Sequence, residues 1–192
     1  MSPRPVDRRP IIISGPSGVG KGTLAQKLID KYPDTFALTV SHTTRSPRVN
    51  EIDGKSYHFV SATTFTTLLS QDAFVEHTTF NSHQYGTSKA AITDITDKGL
   101  IAVLDIEIDG VQQIRGNSSI DARYVFIKPP SLEALGARLR SRGTESEIDV
   151  LSRLTRARDE IEFAETQGVY GKIIVNDDLE RAYGELEELM FR

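Results

Sequence analysis

Gly15-Pro16-Ser17-Gly18-Val19-Gly20-Lys21 fits the pattern G-x-x-x-x-G-K, and the chemistry of that pattern is anion binding. Glycines let the backbone curl until successive N–H groups point into one hollow, and a helix that starts there adds the positive end of its dipole. Lys21 then supplies a point charge for the β- and γ-phosphates of a nucleoside triphosphate. Alone, the heptapeptide equally describes a glycine-rich turn with an exposed lysine. Its flanks favour the phosphate loop, because the apolar run Ile11-Ile12-Ile13 precedes it and an amphipathic segment carrying Leu24 and Leu28 follows. Next to the lysine, where a hydroxyl that ligates Mg²⁺ usually stands, this chain has Gly22, and Thr23 comes one place later.

Other residues narrow the chemistry. Arginines crowd the stretch from Arg138 to Arg158 while the whole chain carries a net charge of −4, which suits a compact anionic ligand better than a nucleic acid. With no cysteine there is neither a disulfide framework nor a thiolate metal site. His42, His58, His77 and His83 lack metal-binding spacings and read as ordinary polar side chains. No apolar run approaches the ~20 residues that span a bilayer, and no secretory leader pattern opens the chain, so a cytoplasmic protein away from the membrane is expected.

Positioning such residues requires a scaffold, and 192 residues with 38% hydrophobic content suffice for one sizeable core. Ile11 to Ile13, residues 100–104, residues 124–127 and residues 173–175 are short β-branched-rich runs, as expected of parallel strands buried on both faces. Helices are expected after Lys21, from Ser88 to Lys98 ahead of Gly99, and from Ser131 with Leu132, Leu135 and Leu139 on one face. A further helix is expected behind a Thr144/Glu147 capping box, turning Ile148, Leu151, Leu154 and Ile161 inward. The last begins near Asp177 or Asp178 and buries Leu179, Ala182, Leu186 and Leu189. From Phe36 to Gly86 threonines and serines dominate, with short extended runs and no long helix, which reads as an inserted lobe with its own small sheet. An α/β fold with two movable excursions fits an enzyme that closes over its substrates.

The segment Ser41-His42-Thr43-Thr44-Arg45-Ser46-Pro47-Arg48, followed by Glu51, Gly54 and Tyr57-His58-Phe59-Val60, resembles guanylate kinase. So do Phe74-Val75-Glu76, Tyr85-Gly86-Thr87, Leu104-Asp105-Ile106-Glu107 with Gly110-Val111, Arg138 through Glu145, and Val175-Asn176-Asp177-Asp178. Together with the phosphate loop, the resemblance spans nearly the whole chain. It implies the P-loop NTPase fold: a mostly parallel central sheet with flanking helices, an inserted GMP-binding lobe and a helical lid. One domain over residues 1–192 would divide into a core of about 10–35, 89–130 and 168–192, a lobe of about 36–88 and a lid of about 131–167.

The activity implied is transfer of the γ-phosphoryl group of ATP to GMP, and to dGMP, giving ADP and GDP, by a monomer that binds neither nucleic acid nor membrane. Lys21, Arg48, Arg142 and Arg153 would be the catalytic cations. Gly15, Pro16, Ser17, Gly18, Val19, Gly20, Lys21, Gly22, Thr23, Arg138, Asn176 and Asp177 would bind ATP. Arg45, Arg48, Tyr57 and Tyr85 would hold the GMP phosphate, a fit for guanidinium forks and phenol hydroxyls. Ser41, Glu76 and Thr87 would read the base, since guanine presents N1–H and N2–H₂ donors beside the O6 acceptor. Glu51, Asp105 and Glu107 complete the implied GMP site; the family often has serine at Thr87 and aspartate at Glu107. Mg²⁺ is the implied cofactor, held by phosphates and water as the adenylate-kinase-like Gly-Lys-Gly-Thr run suggests, with Asp105 the carboxylate nearest to it in role. Without the resemblance the arginines read as a solvated turn, the tyrosines as half-buried strand residues and Glu76 as an exposed strand charge. Two rivals stand beside it: a peptide-binding module of the guanylate-kinase-like type found in membrane-associated scaffold proteins, and a kinase for another nucleoside monophosphate.

Overall fold

In a computed structural model, which describes residues 7–80, 82–116, 120–141, 143 and 146–192, the apolar runs become strands and the periodic segments between them helices. Along the chain come β1 (Ile11–Ser14), α1 (Lys21–Lys31), β2 (Phe36–Leu38), β3 (His42–Thr43), β4 (His58–Phe59), α2 (Ala62–Ser70), β5 (Phe74–Phe80) and β6 (His83–Ser88). They are followed by α3 (Lys89–Asp97), β7 (Ile101–Asp105), α4 (Ile108–Gly116), β8 (Arg123–Lys128), α5 (Leu132–Ser141), α6 (Glu147–Thr166), β9 (Lys172–Val175) and α7 (Leu179–Phe191).

The main sheet has the order β2-β7-β1-β8-β9, and every pairing in it is parallel. Side chains alternate across a strand, so Ile11 and Ile13 enter one core with Leu24 and Leu28 of α1, Leu135 of α5 and Leu186 and Met190 of α7. Ile12 points the other way, to Ile92 and Ile95 of α3 and Val111 and Ile114 of α4. All three isoleucines are fully buried, which is why β1 is apolar at every position rather than at every second one. This central strand delivers the phosphate loop to the carboxyl edge of the sheet, the edge at which ligands of open α/β sheets bind.

A second sheet, β4-β3-β6-β5, mixes parallel and antiparallel pairs. It is backed by α2, whose fully buried Phe65 stacks on Phe74 with ring centroids 4.6 Å apart. This nine-residue helix, capped by Ser61, stands in the stretch read as lacking a long helix. Phe36–Leu38, grouped above with the inserted lobe, pairs with β7 in the main sheet. Phe36 is 1% exposed there, packed against Tyr32 and Phe191.

Three helical details differ from the sequence reading. The cap of α6 is a Ser146/Asp149 capping box rather than Thr144/Glu147; Thr144 lies outside the described residues. Starting there, α6 buries Val150, Ala157, Glu160 and Ala164, while Ile148 and Leu151 are 80% and 54% exposed. The cap of α7 is Asp178, one of the two starts expected, whose side chain accepts from the Arg181 N–H, but Leu179, expected to be buried, is 37% exposed beside a face built from Ala182, Tyr183, Leu186 and Met190. Among the described residues no helix is long and apolar enough to cross a membrane.

Candidate active site

The phosphate loop is held open by its glycines. Gly15 has φ 143°, and a Cβ there would fall 2.2 Å from the Ile127 carbonyl oxygen, so a side chain is excluded by backbone of the neighbouring strand. Gly20, in the left-handed region at φ 103°, caps α1 without a side chain, which leaves the N–H groups of the first turn facing the hollow. Two partners from distant segments fix the loop: Asn176 Nδ2 donates to the Val19 carbonyl at 2.8 Å, and Arg138 donates to the Asn176 carbonyl at 2.8 Å. Lys21 Nζ donates to the carbonyls of Gly15 (2.7 Å) and Pro16 (3.3 Å) and stands 3.9 Å from Asp105 Oδ1.

From this loop a cavity of about 740 Å³ extends between the main sheet, the second sheet and α6. Of the residues picked out by sequence it is lined by Ser17, Lys21, Ser41, Arg48, Tyr57, Glu76, Tyr85, Asp105, Glu107 and Arg153. These come from the loop, both sheets and α6, so the fold gathers side chains 136 positions apart, as in the 2.5 Å hydrogen bond from Arg153 to Ser17 Oγ. Arg153 also lies 5.5 Å over the Phe80 ring, joining α6 to the second sheet.

At the inner end of β5, Glu76 is 6% exposed. Thr87 donates to Glu76 Oε1 through its hydroxyl at 2.6 Å and its backbone N–H at 2.9 Å, and Ser41 Oγ lies 3.0 Å from the Thr87 hydroxyl. Since the Thr87 proton goes to the carboxylate, Ser41 donates to Thr87, and the three groups form one directed chain. Burial pushes the Glu76 carboxyl above its ordinary value, and the Thr87 hydrogen bonds oppose that rise.

Arg45 sits behind the cavity wall, 9% exposed, with both Nη atoms 2.6 Å from the Glu51 carboxylate. Its guanidinium lies 4.9 Å over Tyr57 and 5.6 Å over Phe59. Glu51 also accepts the Arg48 N–H at 2.7 Å, and the Arg45 fork holds its carboxyl down at about 2. In this state the pair shapes the turn that presents Arg48 and Tyr57 to the cavity.

Thr87, Arg45, Glu51, Arg138 and Asn176 therefore support the cavity from behind. Asp177 is exposed and paired with Arg181. Arg142 lies outside the described residues. Sequence reasoning missed Thr78, Phe80, Gly86, Ile106, Gly110, Asp149, Arg156, Ala157 and Glu160 as lining. For the residues of α6 the available signal was spacing, since Arg153, Arg156 and Glu160 fall on one face at i, i+3 and i+7.

For a divalent cation the donors are sparse: among the described residues no group of three or more metal-capable side chains comes together. Asp105 closes β7 at the cavity floor, and a Cβ on Gly22 would lie 3.5 Å from its Oδ2. Burial raises its carboxyl while Lys21 opposes the rise. A lone hard oxygen donor beside a phosphate loop suits an ion that keeps most of its own water, as Mg²⁺ does.

Comparison with known proteins gives this arrangement relatives. The family described as guanylate kinase matches residues 7–192. Guanylate kinase of Schizosaccharomyces pombe is 48% identical over 181 residues, covering 94% of this chain and 89% of that protein. Guanylate kinase of Homo sapiens is 39% identical over 182 residues, covering 95% and 92%. The crystal structure of guanylate kinase from Anaplasma phagocytophilum matches with a TM-score of 0.72 at 29% identity, over 98% of this chain and 86% of that one.

Proposed function

This chain belongs to the guanylate kinase family and phosphorylates GMP from ATP, giving ADP and GDP, and we propose that the cavity between phosphate loop, second sheet and α6 is where the two substrates meet. The observation that carries the proposal is the buried chain Ser41, Thr87, Glu76 opening into the same cavity as Lys21. A carboxylate can accept from guanine N1–H and N2–H₂, while Ser41 turns its hydroxyl to O6. Adenine has no N1 proton and would leave the carboxylate unpaired, a kind of mismatch that polar sites reject strongly.

On this reading Arg48, Tyr57 and Tyr85 take the GMP phosphate, with Arg45 and Glu51 setting their turn. dGMP fits the same base and phosphate contacts. ATP lies along the phosphate loop with Lys21 swung from the Gly15 and Pro16 carbonyls onto its phosphates, and with Asn176, Asp177 and Arg138 at the adenine end. Phosphoryl transfer asks little covalent chemistry of the protein, so the rate comes from alignment and from positive charge around the migrating group. Arg153 and Arg142 provide that charge from the α5–α6 excursion. A Mg²⁺ ion brought in with ATP would be held through its water by Asp105 and would supply neutralisation of phosphate charge. The second sheet acts as the acceptor lobe and α5–α6 as the lid, and their closure keeps water from the γ-phosphate.

The experiment is ADP formation from ATP and magnesium with GMP, dGMP, AMP, UMP and dTMP supplied in turn. GMP-dependent turnover with little from AMP is expected. Folded, ATP-binding protein that forms no ADP with GMP would overturn the reading and favour a peptide-binding module.

A further inference from the structure

Arg156 gathers three carboxylates at the edge of the cavity. Its Nη2 lies 2.8 Å from Glu107 Oε2 and 2.9 Å from Asp109 Oδ2, where β7 passes into α4, and its Nε lies 3.1 Å from Glu160 Oε1 one turn along α6. Glu160 is only 3% exposed, and its second oxygen has no hydrogen-bond partner among the described residues. A buried carboxylate gains most from a partner that stays in one place, so Glu160 restrains Arg156 from below as Glu107 does from the side.

Arg156, Glu107 and Glu160 line the same cavity as Glu76 and Asp105. The side chain of Glu107 is 37% exposed, and a free glutamate arm is long and rich in rotamers. Binding a nucleotide base through such an arm requires that it be ordered first, and the ion pair at one oxygen restrains it while leaving the other oxygen available. The balance of charge points the same way. The cavity walls carry Glu76, Asp105, Glu107, Asp149 and Glu160 against Lys21, Arg48, Arg153 and Arg156, and the acceptor brings a dianionic phosphate into that field.

We propose that Arg156 is a positioning residue for the acceptor nucleotide: it fixes Glu107 through Oε2 so that Oε1 meets the acceptor base, and it offsets wall charge that repels the acceptor phosphate. This rests on the reading of the cavity as the GMP site. It gives the face of α6 two functions: Arg153 serves the transferring phosphoryl group, and Arg156 the acceptor.

The test is steady-state kinetics with GMP and ATP varied separately, on the unaltered protein, Arg156→Gln, Glu107→Gln and the double variant. Arg156→Gln raises KM for GMP about tenfold and leaves KM for ATP within about twofold, and its effect on KM for GMP largely disappears in the Glu107→Gln background. Equal rises in both KM values, or full additivity in the double variant, would overturn the proposal, because loss of a merely structural contact gives those results. Should Arg156→Gln fail to fold, Arg156→Lys keeps the charge and loses the fork; it is expected to show the same split at smaller size, and an unchanged KM for GMP would count against the proposal. If the unaltered protein does not phosphorylate GMP, the reading of the site falls and this proposal with it.

Discussion

Thr87 gives both its hydroxyl and its backbone N–H to one oxygen of Glu76, Oε1, so that Oε2 is left on the side of Gly110, within the cavity. Among the described residues no hydrogen bond uses Oε2. One half of the carboxylate is thus spent on being held still, and the other half is presented.

Gly110→Ala tests that presentation. A Cβ at position 110 would lie 2.9 Å from Glu76 Oε2 and 3.1 Å from its Cγ, so the carboxylate must move. Alanine suits a helix better than glycine, and α4 itself should not suffer. The expected outcome is a rise of about tenfold in KM for GMP with KM for ATP unchanged, since small displacements of a positioned group are costly. Unchanged GMP kinetics would show that Glu76 tolerates the shift.

Arg153→Ala should lower kcat by on the order of 10²-fold, within the range for loss of an arginine that stabilises transferring phosphoryl charge. Arg153→Lys should recover only part of it, because an ammonium cannot reproduce the fork. Single-turnover kinetics at saturating ATP and GMP separate this from weaker binding. The same loss is expected for Arg142→Ala.

Glu51→Gln should destabilise the protein by about 2 kcal/mol, less than the ~3–5 kcal/mol of a fully buried pair because the Glu51 side chain is 21% exposed. The sign of its pH dependence follows from the lowered carboxyl. Its folded value of about 2 lies below the ordinary 4.5, so the stabilisation is present above pH 4.5 and is lost as pH falls through about 2. Chemical denaturation at pH 7 and pH 3 should show the gap between native and variant protein narrowing with acid.

His42 predicts a second pH effect at milder acidity. Its Nδ1 is buried without a hydrogen-bond partner among the described residues, and its ring lies 4.8 Å from that of His58; burial first, and then the His58 charge, push it below its ordinary value, with Asp53 opposing. A histidine lowered in the folded state costs stability as pH falls below about 6.5 toward its folded value. The melting temperature should therefore drop between pH 7 and pH 5, and His42→Gln should flatten that drop.

What could be read from sequence was what local physics decides. The Ile11 to Lys21 segment is strand, loop and helix by its own composition, and the four parallel runs announced themselves because burial on both faces removes polar residues. The α6 face was misjudged because Ile148 and Leu151 are apolar yet point outward, while the inward stripe is built from Val150, Ala157 and Ala164, whose small side chains carry little weight in a pattern. The cap failed with it, since Ser146/Asp149 and Thr144/Glu147 satisfy the same rule two residues apart. Glu76 taken singly reads as an exposed strand charge, and Arg156 and Glu160 draw no notice, because the reason for their burial or pairing lies on other elements.

The most direct measurement is the ratio of kcat/KM for GMP to that for AMP, in the native protein and in Glu76→Gln. The native ratio should be high and should fall on the order of 10²-fold in the variant, since the amide keeps the shape of the side chain but, with its oxygen held by the Thr87 donors, turns an NH₂ donor toward guanine where the carboxylate presented an acceptor. A folded Glu76→Gln protein that discriminates GMP from AMP as well as the native protein does would contradict the assignment of this cavity corner to the guanine base.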